Sequence, residues 1–366
     1  MRILIVQHGM FPGFVAPIPK ELAKHLRRLG VDVSVAAVGD HGAHGGATSN
    51  AFDFPVHYVQ AASPWQAYGA LRPLVAAADI VHYFPGRGLE LLPLLNQRAK
   101  YIFNHISVSV TGNAWKDGLI DFVKRLQPFL ADLIIATDPA LAHNLRPVNG
   151  VPVEILPVGY PADLFYPCPP FVERPERLLM YHGACRPQRR LERLVEVVAK
   201  LPAEYRLMII GGGSAADEAY RDQLAALATR LGCRDRVELT NMPQAEIRAV
   251  IDRAWLCLSY VPVIDCFQDQ FVLKSNEYLA CQRPVLTTAT RYNLGFQRTI
   301  GAEHLLVVPD DVAAMAAAIV EAEPWVRAFH APASLARLAT TMAAYTSADV
   351  VERRLIPIYH RLLGAA

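Results

Sequence analysis

The first 37 residues read MRILIVQHGM FPGFVAPIPK ELAKHLRRLG VDVSVAA, from Met1 to Ala37. Ile3 to Val6 is a short continuous apolar run, as expected of a strand buried on both faces. A loop with Gly9, Pro12 and Gly13 follows. Ile18, Leu22 and Leu26 then recur at i, i+4 and i+8, which predicts a helix over about Pro19 to Leu29. Pro19 suits the first helical turn and Gly30 the position just past the end. Val31, Val33 and Val35 alternate as a second strand. A strand, a helix and a strand on short links read as a right-handed βαβ unit of a parallel sheet.

The same grammar continues outward. Strands are expected at Asp79 to Tyr83, Tyr101 to Asn104, Leu133 to Thr137 and Val153 to Leu156. Residues 157–175 then hold Pro157, Pro161, Pro167, Pro169, Pro170 and Pro175, a density that excludes a helix interior or a central strand. A linker is expected there. A second α/β set follows, with strands at Leu178 to His182, Leu207 to Ile210, Val237 to Leu239, Leu256 to Ser259, Val285 to Leu286 and Leu305 to Val308. Leu191, Leu194, Val195 and Val198 mark one helix face, and Asp310 or Asp311 caps a helix over Val312 to Val320. The final segment, about Ser347 to Leu363, is amphipathic. The expected domains are 1–165, a Pro-rich linker 166–175, 176–340, and a terminal helix within 341–366. In two doubly wound sheets, ligands belong at the carboxyl ends of the strands.

Composition narrows the function. With 36 basic and 34 acidic residues, global charge gives no case for a nucleic-acid partner. Six cysteines without a CxxC pair in so long a chain fit reduced thiols in a cytoplasmic protein. No apolar run approaches the roughly 18 residues of a membrane span. The apolar start is cut short by Gln7, His8 and Gly9, too early for a signal peptide. Gly211-Gly212-Gly213 is not a dinucleotide fingerprint, and neither a P-loop nor an HExxH string occurs. No metal site and no cofactor is therefore expected.

Two stretches carry chemistry. In Asp269-Gln270-Phe271-Val272-Leu273-Lys274-Ser275-Asn276-Glu277-Tyr278-Leu279-Ala280, a helix over Phe271 to Ala280 places Lys274 one turn before Glu277. A carboxylate can accept both hydroxyls of a ribose, and a lysine can meet a phosphate. The same spacing also describes an ordinary surface ion pair. In Tyr181-His182-Gly183-Ala184-Cys185-Arg186-Pro187-Gln188-Arg189-Arg190, a strand ends, a glycine turns the chain and three arginines precede a helix. Arginine forks and helix N–H groups suit a diphosphate, and a solvated basic turn is the plainer alternative.

The Asp269 to Val285 stretch resembles the signature of glycosyltransferase family 4: a carboxylate, seven residues, a glutamate, then small residues ending in Pro284-Val285. Lys274 to Ala280 is similar to the branch with a Lys-x-x-Glu-Tyr-Leu-Ala form. The resemblance implies a GT-B fold, two Rossmann-like domains facing a central cleft, the first serving the acceptor and the second the donor. It implies that Glu277 binds the donor ribose, and Lys274 the diphosphate. Asp269 stands where a binder of donor-sugar hydroxyls sits, although the family's Gly-Phe-Gly after it is absent and Asp265 is nearby. Gly183 and Arg189 match the family's glycine and basic residue, with Arg186 as the next cation. Gly13 matches one of two loop glycines, and His105, after the strand Tyr101 to Asn104, matches a histidine on the donor sugar. His82 matches a structural position. Further landmarks are Ala131 to Thr137 and Leu156 to Tyr160, so the matches run in order along nearly the whole chain.

The implied function is retaining transfer of a hexosyl group from a nucleoside diphosphate sugar to a hydroxyl acceptor, in glycan or glycolipid assembly. No DxD triplet occurs, in keeping with the metal-independent chemistry of that family. The acceptor is a glycan, a lipid-linked molecule or a small molecule. The terminal helix is expected to return to the first domain. The rivals are a sugar-nucleotide 2-epimerase on the same fold and a non-catalytic scaffold subunit. In the apolar loop Met10 to Pro19, Phe11, Phe14 and Val15 either pack under neighbouring loops or meet an apolar acceptor; the second case, with the mixed basic and apolar segment Trp115 to Leu126, describes a cytoplasmic enzyme that touches the inner membrane face weakly.

Overall fold

The structure is a computed structural model that describes residues 1–9, 11, 17–41, 46–86, 89–105, 113–144, 146–147, 150–212 and 215–364. The chain divides into two compact units, Met1–Gly159 with Tyr345–Ala366, and Tyr160–Ala344.

The first unit is built on strands β1 (Arg2–His8), β2 (Asp32–Gly39), β3 (Thr48–Ser49), β4 (Val56–Gln60), β5 (Ile80–Tyr83), β6 (Lys100–His105), β7 (Leu133–Ala136) and β8 (Val153–Ile155). They form one sheet in the order β3-β4-β2-β1-β5-β6-β7-β8. Every pair is parallel except β3 with β4, at the edge. Side chains along β1 alternate between the two faces. Ile3 and Ile5 join one core with Leu22, Leu26, Val33 and Val35. Leu4 and Val6 join the other with Tyr68, Leu71 and Val75. That double burial is why the run is continuously apolar. The helix Pro17–Arg28 ends where Gly30 takes φ +76°, and Val31 N–H closes back on Leu26 O at 3.0 Å.

The terminal helical segment, Ser347 to Leu362, belongs to this unit. Val350, Val351, Leu355, Ile358 and Tyr359 bury in the same core as Ile3 and Ile5. His82 ties the segment down, with Nδ1 2.8 Å from the Tyr359 hydroxyl and Nε2 3.1 Å from Asn104 Nδ2.

Burial pushes the His82 imidazole down to about 3, and burial with the Lys124 cation nearby does the same for His105. Unfolded, both rings titrate near 6.5. Between those values the unfolded chain binds protons that the folded chain refuses, so folding stability is complete above about 6.5 and is lost as pH falls toward 3. Each ring removes up to about 1.4 kcal/mol per pH unit in that window. The urea midpoint is expected to drop between pH 7.5 and 5.5, and to drop less in His82→Gln. A midpoint that stays fixed would contradict this.

The second unit carries β9 (Arg177–His182), β10 (Tyr205–Ile210), β11 (Val237–Thr240), β12 (Leu256–Ser259), β13 (Val285–Thr288) and β14 (Leu305–Val308). All pairs are parallel, in the order β11-β10-β9-β12-β13-β14. The chain winds outward from β9 in both directions, so the carboxyl ends of β9 and β12 mark the switch point where such sheets bind ligands. Asp311 caps the helix Val312–Glu321 by accepting from Ala314 N–H at 2.8 Å.

The Pro-rich stretch 166–175 falls inside this unit and is held to it. Cys168 N–H donates to Cys281 O at 3.1 Å, and Arg283 donates to Pro169 O at 3.1 Å. Arg248 donates to Pro167 O at 2.9 Å and lies 3.6 Å over the Tyr166 ring. Proline removes donors but leaves carbonyls as acceptors, which arginines from elsewhere in the unit take up.

Candidate functional site

The carboxyl end of β9 gathers the second unit's polar residues. Gly183 turns the chain there with φ +139°, and a Cβ on it would sit 3.3 Å from Lys274 Nζ. At the end of β10, a Cβ on Gly211 would lie 1.9 Å from Gly183 O. Only the missing side chain at Gly211 lets these two strand ends come together.

The helix Leu273–Ala280 approaches from the β12 side and presents Lys274 and Glu277 to that turn. Glu277 is buried, and a buried carboxylate needs a partner. Its Oε2 accepts from His182 Nε2 at 2.7 Å. The next residue, Tyr278, accepts His182 backbone N–H on its hydroxyl at 2.8 Å. Lys274 Nζ lies 3.9 Å from the Tyr181 ring centroid, a cation–π distance. Desolvation pushes the Lys274 ammonium well below the usual lysine range; the Arg189 cation adds to this and the Glu277 carboxylate opposes it. An arriving anion would stabilise the charged ammonium.

Arg189 completes a 3₁₀ turn, Pro187–Arg189, that Arg190 ends in the left-handed region at φ 48°. Its guanidinium lies 4.6 Å over the Phe267 ring. Arg186 is mostly exposed and pairs with Asp217 at 3.3 Å. Gly183, Arg189, Lys274 and Glu277 therefore share one end of one sheet, with Arg186 at the start of the turn. Two or three cations beside an acceptor carboxylate form a place for an anionic group that also carries hydroxyls.

The other expected residues stand differently. Asp269 is engaged by Arg291, with Nε donating to Oδ1 at 2.8 Å, so its carboxylate already serves an ion pair. Asp265 lies exposed in the turn Asp265–Phe267. His105 ends β6 in the first unit, and neither ring nitrogen has a hydrogen-bond partner among the described residues. Gly13, Phe14 and Val15 lie outside the described residues. Phe11 takes the packed one of its two expected places: it is buried against Phe52 and Phe54. His182 was named in the sequence without a role, because its partner lies 95 residues away.

The second unit is similar in sequence to known proteins. Residues 176–322 match the family model described as Glycosyl transferases group 1. That group 1 match lies within the second unit and includes Gly183, Arg186, Arg189, Asp269, Lys274 and Glu277. A curated relative, the D-inositol 3-phosphate glycosyltransferase of Xylanimonas cellulosilytica, is 28% identical over 177 residues, 43% of this chain and 41% of that protein. Among solved structures, sucrose-phosphate synthase from Thermosynechococcus elongatus covers 100% of both chains at 18% identity and a TM-score of 0.75. HepE of Anabaena, in complex with UDP and glucose, covers 98% of this chain and 99% of its own at 14% identity, with a TM-score of 0.77. The fold is the GT-B fold of two parallel-sheet α/β domains.

Proposed function

We propose that the protein is a retaining glycosyltransferase that moves a hexosyl group from a nucleoside diphosphate sugar to a hydroxyl acceptor. The observation that carries this is the meeting of Glu277, Lys274 and Arg189 around Gly183, inside the segment that matches group 1 glycosyltransferases. In this reading Glu277 accepts the ribose hydroxyls of the donor. Arg189 and Lys274, with Arg186 at the rim, take the diphosphate and stabilise its charge as it leaves. These cations would do the charge neutralisation that a metal ion performs elsewhere. Attack by the acceptor on the face the diphosphate leaves, assisted by a phosphate oxygen, gives retention without an enzymic nucleophile. His105 would contact the donor sugar, and Asp269 its hydroxyls if Arg291 yields. UDP is the first donor base to try, since HepE is described with UDP. The test is incubation with UDP-, GDP- and ADP-glucose and a panel of sugar and lipid-linked alcohols. Nucleoside diphosphate release that needs the acceptor supports the reading, and no release with any pair contradicts it.

One observation favours an acceptor at a lipid surface. The helix Ala114–Leu126 in the first unit turns Trp115, Leu119, Phe122, Val123 and Leu126 outward, with Trp115 78% exposed. Its partly buried side holds the pair Lys124 and Asp121, 3.4 Å apart. This is the reverse of an ordinary surface helix. Lys116 and Arg125 stand beside the apolar stripe and suit anionic headgroups. Among the described residues no helix is long and apolar enough to cross a membrane. The proposal is a cytoplasmic enzyme that visits the inner membrane face with modest, reversible affinity. Wild type is expected to float with liposomes containing anionic lipid, and Trp115→Ser/Phe122→Ser to stay behind. Wild type that never floats would end this part of the proposal and favour a water-soluble acceptor.

A further inference from the structure

We infer that His182 is a positioning residue that sets the Glu277 carboxylate for the nucleotide's ribose. The inference rests on the donor reading above and extends it to a residue outside the proposed set of donor contacts. His182 Nε2 lies 2.7 Å from Glu277 Oε2, and both side chains are buried. A carboxylate is only an acceptor, so the proton in this bond sits on Nε2. His182 Nδ1 is buried and has no hydrogen-bond partner among the described residues, so nothing holds a proton on that side.

The ring itself cannot swing. It stacks on Phe165 at 11° and 6.2 Å between centroids, and Tyr278 meets it edge-on at 90° and 4.8 Å. The backbone is fixed by the same Tyr278, whose hydroxyl accepts His182 N–H at 2.8 Å. Position 182 is also the last residue of β9, at the sheet's switch point. A rigid strand end therefore holds one carboxylate oxygen through an N–H donor. The bond fixes Glu277 by Oε2 and leaves Oε1 without a donor from His182, ready to accept a hydroxyl proton. Without His182 the carboxylate would be buried with its charge uncompensated on that side and its rotamer undetermined.

The experiment is calorimetric titration with UDP, GDP and ADP, continued with whichever binds wild type, and with its 2′,3′-dideoxy analogue. His182→Phe keeps an aromatic ring for Phe165 and Tyr278 but lacks the donor; it is expected to weaken ribonucleotide binding about ten-fold. His182→Gln, which regains an N–H donor, is expected to recover most of that loss. The dideoxy analogue should bind His182→Phe and wild type alike, because it has no hydroxyls for Glu277. In the Glu277→Gln background, adding His182→Phe should cost little more.

Full ribonucleotide affinity in His182→Phe, with binding lost in Glu277→Gln, would overturn the positioning role and leave the donor reading standing. Unchanged binding in Glu277→Gln would overturn the donor reading itself. A second readout needs no His182 variant. In ¹⁵N-labelled wild type, the His182 ring should carry its proton on Nε2, with a resonance that moves upfield in Glu277→Gln. A proton on Nδ1 alone would overturn the inference even if His182→Phe fails to fold.

Discussion

Arg189→Ala will lower kcat by roughly 10²–10³-fold, the usual cost of removing one preorganised donor from a developing negative charge. Charge on the diphosphate grows as the glycosidic bond breaks, so a guanidinium there is worth more in the transition state than in the ground state. Donor KM should move far less than kcat. The fold should survive, because Arg189 sits in a partly exposed turn and its guanidinium contacts a single ring, that of Phe267. Steady-state kinetics separates the outcomes. A change confined to KM would mean that Arg189 binds the donor uniformly; no change in either would remove it from the site.

Glu277→Gln will weaken donor binding by roughly 10–100-fold, from the loss of one charge-assisted hydrogen bond worth about 1.5–3 kcal/mol. Glutamine keeps the shape and still accepts from His182 Nε2–H, so the melting temperature should hold. The loss should appear in donor KM and in the dissociation constant of the nucleoside diphosphate. Calorimetry with wild type and variant checks it. Equal affinities would mean that Glu277 is a structural partner of His182 and nothing more.

Much of the fold was legible because the strands of a parallel sheet are buried on both faces and read as uninterrupted apolar runs, Ile3 to Val6 and Leu178 to Tyr181 among them. One edge of the first sheet escaped that reading. β4 is Val-His-Tyr-Val-Gln, half buried and half polar, and β3 has two residues. The helix Pro64–Ala77 escaped too: Gly69 and Pro73, both exposed, are poor helix formers, and they obscure a buried face of only Ala67, Tyr68, Leu71 and Val75. The Pro-rich stretch was readable as irregular but not as docked, because the groups that hold it, Arg248, Cys281 and Arg283, come from distant parts of the chain.

The candidate site divides in the same way. Lys274 and Glu277 share a helix, so local spacing was enough to pair them. Gly183 and Arg189 share one turn, and the turn's composition announced it. Joining the two groups took tertiary structure, as did the His182 bond to Glu277. Asp269 shows the opposite case: its position in the motif pointed to a ligand, while Arg291, 22 residues on, supplies a partner within the chain.

The most direct measurement is the anomeric configuration of the product. The protein, a nucleoside diphosphate glucose of α configuration and a hydroxyl acceptor are followed by proton NMR, with a matched sample lacking acceptor. The expected result is an α-linked product that grows with the free nucleoside diphosphate, and an unchanged donor in the sample without acceptor. A β-linked product would contradict retention. Interconversion of the sugar nucleotide without acceptor would mark an epimerase, and no turnover with any donor would leave a scaffold subunit; either would contradict the transferase.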